Sequence, residues 1–111
     1  MDRRVLLDHV RRTRLPPGRR ARAKRDAHRI AAFLKRHGAR RVFGVGSAFD
    51  PARRFTWRSD IDIAVVGLRA DRFFELSARA ADLTDLPLDI VPIESATEPM
   101  RRAILEEGVD L

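Results

Sequence analysis

The chain contains no cysteine, which excludes disulfides, thiolate metal sites and cysteine nucleophiles. It has no apolar run near the roughly 18 residues of a membrane span. Its N-terminal MDRRVLLDHVRRTR lacks the uninterrupted apolar stretch of a signal peptide. Internal repeats are absent, and arginine bias is the nearest approach to low complexity. These absences lead to the expectation of a soluble, cytoplasmic domain without a membrane role.

What is present suits one core. The 111 residues are 44% hydrophobic, too apolar for a disordered chain, although 35% charged is high for a small globule. The length fits a single domain spanning 1–111. The formal net charge of +7 is unevenly spread. Residues 1–41 hold 15 Lys and Arg against three acids, or +12, and residues 42–111 hold 8 against 13, or −5. Such a basic first third is either an arm for a polyanion or acidic partner, or a solvated basic face of an arginine-rich chain.

Asp2 is placed to cap a helix through Thr13, with Val5, Leu6 and Val10 on one face. Pro16, Pro17 and Gly18 break it. Residues 19–37 form a second expected helix, with Ala23, Ala27, Ile30, Ala31 and Leu34 at helical spacing and His37 and Gly38 at its end. Residues 40–45 (RRVFGV) and 60–66 (DIDIAVV) read as strands, and Pro87 starts a third over 88–93. Residues 70–84 read as a helix with Phe73, Leu76, Ala80 and Leu83 on one face. Thr97 or Ser95 caps a last helix over 98–107, ended by Gly108. Phe33, Phe43, Phe73 and Phe74 are expected in the core. His9, His28 and His37 have no metal-ligand spacing and are expected at the surface or at helix ends. The order implies an α+β fold, a small mixed sheet with helices packed on it.

Three acids stand where acids are costly. Asp60 and Asp62 are two apart at the start of an apolar strand, so both point to one face, and Asp89 lies between Leu88 and Ile90. Clustered carboxylates repel one another unless a divalent cation neutralises them, and oxygen-only ligands suit Mg²⁺ or Mn²⁺ rather than zinc. Read singly, Asp60 is equally a strand cap, and Asp62 and Asp89 are solvated strand ends. Gly46 and Ser47 follow a strand; glycine lets backbone approach a ligand, and serine donates hydrogen bonds to phosphate oxygens. Alone, such a pair is a turn.

Together, VFGVGS (42–47), SDIDIAVV (59–66) and LDIVPI (88–93) resemble the minimal nucleotidyltransferases of the DNA polymerase β superfamily. AILEEGVDL (103–111) also looks like the close of these domains. The resemblance covers residues 40–111 and leaves 1–39 as a basic helical N-terminal extension. It implies a polymerase β-like fold in which Gly46 and Ser47 hold a nucleoside triphosphate, ATP or another NTP. It further implies that Asp60, Asp62 and Asp89 bind two Mg²⁺ ions, with Mn²⁺ as the substitute, and carry catalysis. Small stand-alone members nucleotidylate, and so silence, a HEPN-type RNase toxin. The implied function is thus transfer of NMP, AMP from ATP, to a hydroxyl on a protein partner, as an antitoxin. The alternative is an inactive fold that works by binding a toxin or, through its basic third, nucleic acid. One departure is the loop 48–59, which is longer than usual and, with AFDPARRFTW at 48–57, lacks a glycine a few residues after the serine. Arg53, Arg54 and Arg58 there either neutralise a triphosphate or face solvent, and Trp57 either stacks on a base or does the same.

Overall fold

A computed structural model describes residues 19–56 and 59–111. The expected helix ending at Thr13, its proline break, His9, Trp57 and Arg58 lie outside the described residues. Helix α1 (Arg19–Arg36) buries Ala23, Ala27, Ile30, Ala31, Phe33 and Leu34, the three-and-four spacing of a helix packed along one side. It stops because Gly38 takes φ +112°. The Ala39 N–H then reaches back to the Leu34 carbonyl (3.0 Å) and the Gly38 N–H to that of Lys35 (3.2 Å), satisfying carbonyls that the helix leaves open. The next amide, Arg40, donates to the Val66 carbonyl at 2.8 Å, so the chain enters the sheet directly from the cap.

Strands β1 (Arg41–Val45), β2 (Ile61–Val66), β3 (Leu88–Pro92) and β4 (Val109–Asp110) form one mixed sheet in the order β3-β2-β1-β4. β1 is antiparallel to β2 and β4, whereas β2 and β3 run parallel. The parallel pair is joined through helix α2 (Phe73–Ala81), as a parallel connection requires. Helix α3 (Glu98–Glu107) follows β3, with the Met100 N–H donating to the Thr97 hydroxyl at its start. The fold is α+β, a mixed sheet with helices packed on it, as expected; there are four strands and three α-helices among the described residues.

Alternation along the strands sorts two layers. Val42, Ile61, Ile63 and Val65 meet α1 and α2 in the main core. Phe43 and Ala64 on the opposite face meet Ile93 and Ile104, the latter from α3. Asp62, in phase with Ala64, belongs to this second face.

Several expectations need correction. The α-helix expected over 70–84 is confined to Phe73–Ala81, with a 3₁₀ turn at Ala70–Arg72 before it. Phe74 is not core: it is 84% exposed, because Leu76 and Ala80 define the buried stripe and Phe74 falls off it. The second strand begins at Ile61, so Asp60 precedes it rather than sharing its pleat. Ile93 leaves β3 for a 3₁₀ turn, and Pro92 sits on an edge strand, where its missing N–H is tolerated. β4 was not expected from the sequence. Among the described residues, no helix is long and apolar enough to cross a membrane.

Candidate active site

One end of the sheet gathers the C-terminal end of β1 and the N-terminal ends of β2 and β3. Asp62 is the register partner of Val45 on one side and of Asp89 on the other. Neighbouring strands lie about 4.7–4.9 Å apart, so two carboxylates face each other across a single strand spacing. Burial pushes the Asp62 carboxyl above its ordinary range, Asp60 and then Asp89 push it further, and Arg53 pulls it back. All three acids therefore act on one point, with one guanidinium opposing them.

Gly46 completes this corner. Its φ of +75° is a left-handed conformation, and a Cβ there would stand 2.5 Å from the Asp62 Oδ2. Backbone and carboxylate meet so closely that only hydrogen fits between them. Ser47 is buried beside it. The loop turns immediately, the Phe49 N–H donating to the Gly46 carbonyl (3.2 Å) and the Ala52 N–H to the Asp50 Oδ1 (2.9 Å). Helix α1 restrains this loop through the Arg20 guanidinium, which donates to the Arg53 carbonyl.

The strand that carries Asp89 is restrained from the same helix. Asp26 is 8% exposed within an apolar stripe. The Thr84 hydroxyl donates to its Oδ2 at 2.8 Å and accepts the Leu86 N–H at 3.1 Å. Arg22 pairs with Asp85 at 2.6 Å, and the Ile61 N–H binds the Pro87 carbonyl at 2.8 Å. These bonds fix the entry to β3, and hence the register that sets Asp89 against Asp62. Thr84→Val leaves a buried carboxylate without its donor. It is expected to lower unfolding free energy by about 2 kcal/mol in urea titrations, with Thr84→Ser restoring most of it.

A cleft of about 500 Å³ opens beside Gly46, between the loop and α3. Gly46, Phe49 and Arg53 line one wall, and Met100, Ile104 and Glu107 the other. Sequence reasoning singled out none of the α3 positions. Their signal was the spacing 100, 103, 104, 107, one stripe along the helix, which by itself reads as ordinary packing. Of the expected nucleotide contacts, Gly46 and Arg53 line this cleft and Ser47 is buried next to Gly46, while Arg53 and Arg54 are both exposed.

No protein-family profile matches the chain, and no curated protein does. Solved structures do. One described as a candidate minimal nucleotidyltransferase is 22% identical with a TM-score of 0.69, covering 83% of this chain and 95% of that one. The chain has the minimal nucleotidyltransferase fold. A toxin–antitoxin structure with AMP-PNP is 24% identical, with a TM-score of 0.62 over 76% of this chain and 70% of that one. A complex of tri-AMPylated Shewanella oneidensis HEPN toxin with its MNT antitoxin is 22% identical, with a TM-score of 0.58 over 79% and 70%.

The residues at this corner of the nucleotidyltransferase fold suit a divalent metal by their chemistry. The donors are all oxygens, the charges are alike, and one carboxyl is already driven towards protonation. Among the described residues, no three acids or histidines are gathered tightly enough to hold an ion as they stand.

Proposed function

We propose that the chain is a metal-dependent nucleotidyltransferase that moves AMP from ATP to a hydroxyl on a HEPN-type RNase toxin, as the antitoxin of the pair. The observation that carries this reading is the contact between Gly46 and Asp62, with Asp89 opposite in register. It joins a phosphate-binding turn to a carboxylate pair within one side-chain length. Support for the partner and the nucleotide comes from neighbours of the same fold, one in complex with an AMPylated HEPN toxin and one with AMP-PNP.

Asp60, Asp62 and Asp89 would hold two Mg²⁺ ions. When bound, these supply the positive charge that neutralises the carboxylates and favours ionisation of the acceptor hydroxyl. The chain's own groups do the rest. The Gly46 and Ser47 amides and the Ser47 hydroxyl hold triphosphate oxygens, and Arg53 adds a cation at the same corner. The acceptor oxygen bonds to the α-phosphorus, the bond from that phosphorus to the bridging oxygen breaks, and pyrophosphate leaves with the electron pair. Asp89 takes the hydroxyl proton. Position and charge, rather than covalent catalysis, lower the barrier. The chain contains no tyrosine, so a tyrosine acceptor must come from the partner.

The test is transfer of label. With Mg²⁺ and a co-purified HEPN protein, ATP labelled at the α-phosphate is expected to mark the partner, and ATP labelled at the γ-phosphate is expected to leave it unmarked. Label from the γ position alone would mean phosphoryl transfer. No label from either, with a stable complex, would establish a purely binding antitoxin.

A further inference from the structure

The outward half of α1 has no task in the chemistry above. We propose that it binds the phosphate backbone of duplex DNA, without regard to sequence. The inference does not depend on the transfer reaction.

Charge is the first argument. Residues 19–41 hold 10 Lys and Arg against one acid, Asp26. That acid is buried and accepts the Thr84 hydroxyl, so it neutralises nothing outside. Asp85 is already paired with Arg22, and Glu75 with Arg72 and Arg79. Among the described residues, Lys24, Arg25, Arg29, Lys35 and Arg36 form no ion pair.

Arrangement is the second. The exposed cations of α1 fall into two rows. Arg25, Arg29 and Arg36 make one, and Lys24, His28 and Lys35 make the other, about 100° round the helix. First and last members are three turns apart, so each row spans about 17 Å of the axis. Only Ala21 and Ala32 lie between the rows. Duplex DNA carries one charge per about 1.7 Å of its axis, so a row of this length meets several phosphates.

What the face lacks selects the partner. With two alanines as its apolar content, it cannot form the desolvated, aromatic-rich centre of a protein interface. It carries no Phe, Tyr or Trp on which the bases of a single strand could stack. No Ser, Thr, Asn or Gln stands there to contact a 2′-hydroxyl of RNA. Cations without a reader of bases are what phosphate contacts require. The location also fits: α1 packs on the sheet face opposite that of Asp62, so bound DNA leaves the carboxylates clear.

Fluorescence anisotropy of the full chain with labelled duplexes of two unrelated sequences tests this. Both are expected to bind equally at 50 mM salt and to lose about 100-fold by 200 mM, as about four phosphate contacts dictate. The chain has five further arginines before residue 19, so the decisive readout is substitution within α1. Arg25→Gln/Arg29→Gln is expected to weaken binding by at least about tenfold at 100 mM salt. It should also make the log–log salt slope shallower by about 2. Arg69→Gln/Arg102→Gln removes the same charge away from α1 and is expected to stay within about twofold. Glutamine is a good helix former and these sites are exposed, so both variants should fold. An equal loss in the two variants would mean that net charge alone binds, and the proposal fails. It fails equally if the α1 variant keeps its DNA affinity, or if single strands or duplex RNA bind more tightly than duplex DNA.

Discussion

Asp62→Asn is expected to reduce nucleotidyl transfer by at least about 10³-fold while raising the melting temperature in EDTA at pH 7. The two effects share one cause. Asp62 sits partly buried between Asp60 and Asp89, an arrangement that favours cation binding and disfavours the empty, fully ionised site. Its carboxyl titrates above the ordinary value in the folded chain, first from burial and then from its two neighbours. Between the ordinary and the raised value, the folded chain keeps a proton that the unfolded chain has lost. Stability therefore falls as pH rises through that window, and the deficit persists at neutral pH. Asparagine carries no charge and avoids the deficit. The gain, up to about 1 kcal/mol or a few °C, should fade below about pH 4, where aspartate is protonated in either state. Adding Mg²⁺ should reverse the order, stabilising the wild-type chain more than the variant. Thermal scans at pH 3.5 and pH 7, with EDTA and with Mg²⁺, check each part. A variant less stable than wild type at pH 7 in EDTA would show that these charges are not in conflict.

The sheet was legible because strands repeat every two residues. DIDIAVV and LDIVPI put Asp62 and Asp89 among apolar neighbours, and only a shared face at a strand end makes sense of both. Asp60 was misplaced by one step: the ladder begins at Ile61, and no periodicity marks where pairing starts. The helix stripe of α1 was legible at 23, 27, 30, 31 and 34 for the same kind of reason. Phe73 shares the stripe of Leu76, Ala80 and Leu83, whereas Phe74 lies about 100° further round the helix, so the expectation that both are core went against the helical period. Two-residue β4 carries no pattern at all; it forms because Gly108 turns the chain after α3 and β1 offers an open edge. The site's remaining parts arise from contacts between distant segments. Asp26 reads as a flaw in an apolar stripe until Thr84 is seen to meet it. The cleft exists only where the loop after Gly46 passes α3, and no local signal in either segment announces the other.

Gly46→Ala is expected to cost roughly 1–2 kcal/mol of stability from its backbone alone, because φ is +75° there and a Cβ makes that conformation unfavourable. A second effect comes from space. The new Cβ would lie 2.5 Å from the Asp62 Oδ2, well inside contact distance. Asp62 is a short side chain on a fixed strand, so it relieves the overlap by swinging its carboxylate away from the turn. Transfer should then fall nearly as far as in Asp62→Asn, although the acid is still present. A double-mutant cycle separates the two contributions. Asp62→Ala removes the overlapping oxygen, so Gly46→Ala should cost less in that background than in the wild-type chain. The coupling should be about 1 kcal/mol in urea titrations, while the backbone part of the loss remains. Activity should not return in the double variant, since removing the clash also removes the carboxylate. Additive losses would mean that Gly46 and Asp62 do not touch in solution, and the junction between phosphate turn and acid would have to be sought elsewhere. Additivity in stability with full transfer in Gly46→Ala would go further. The turn would then be a connector between strands, and Ser47 and Arg53 would be left to hold the triphosphate without it.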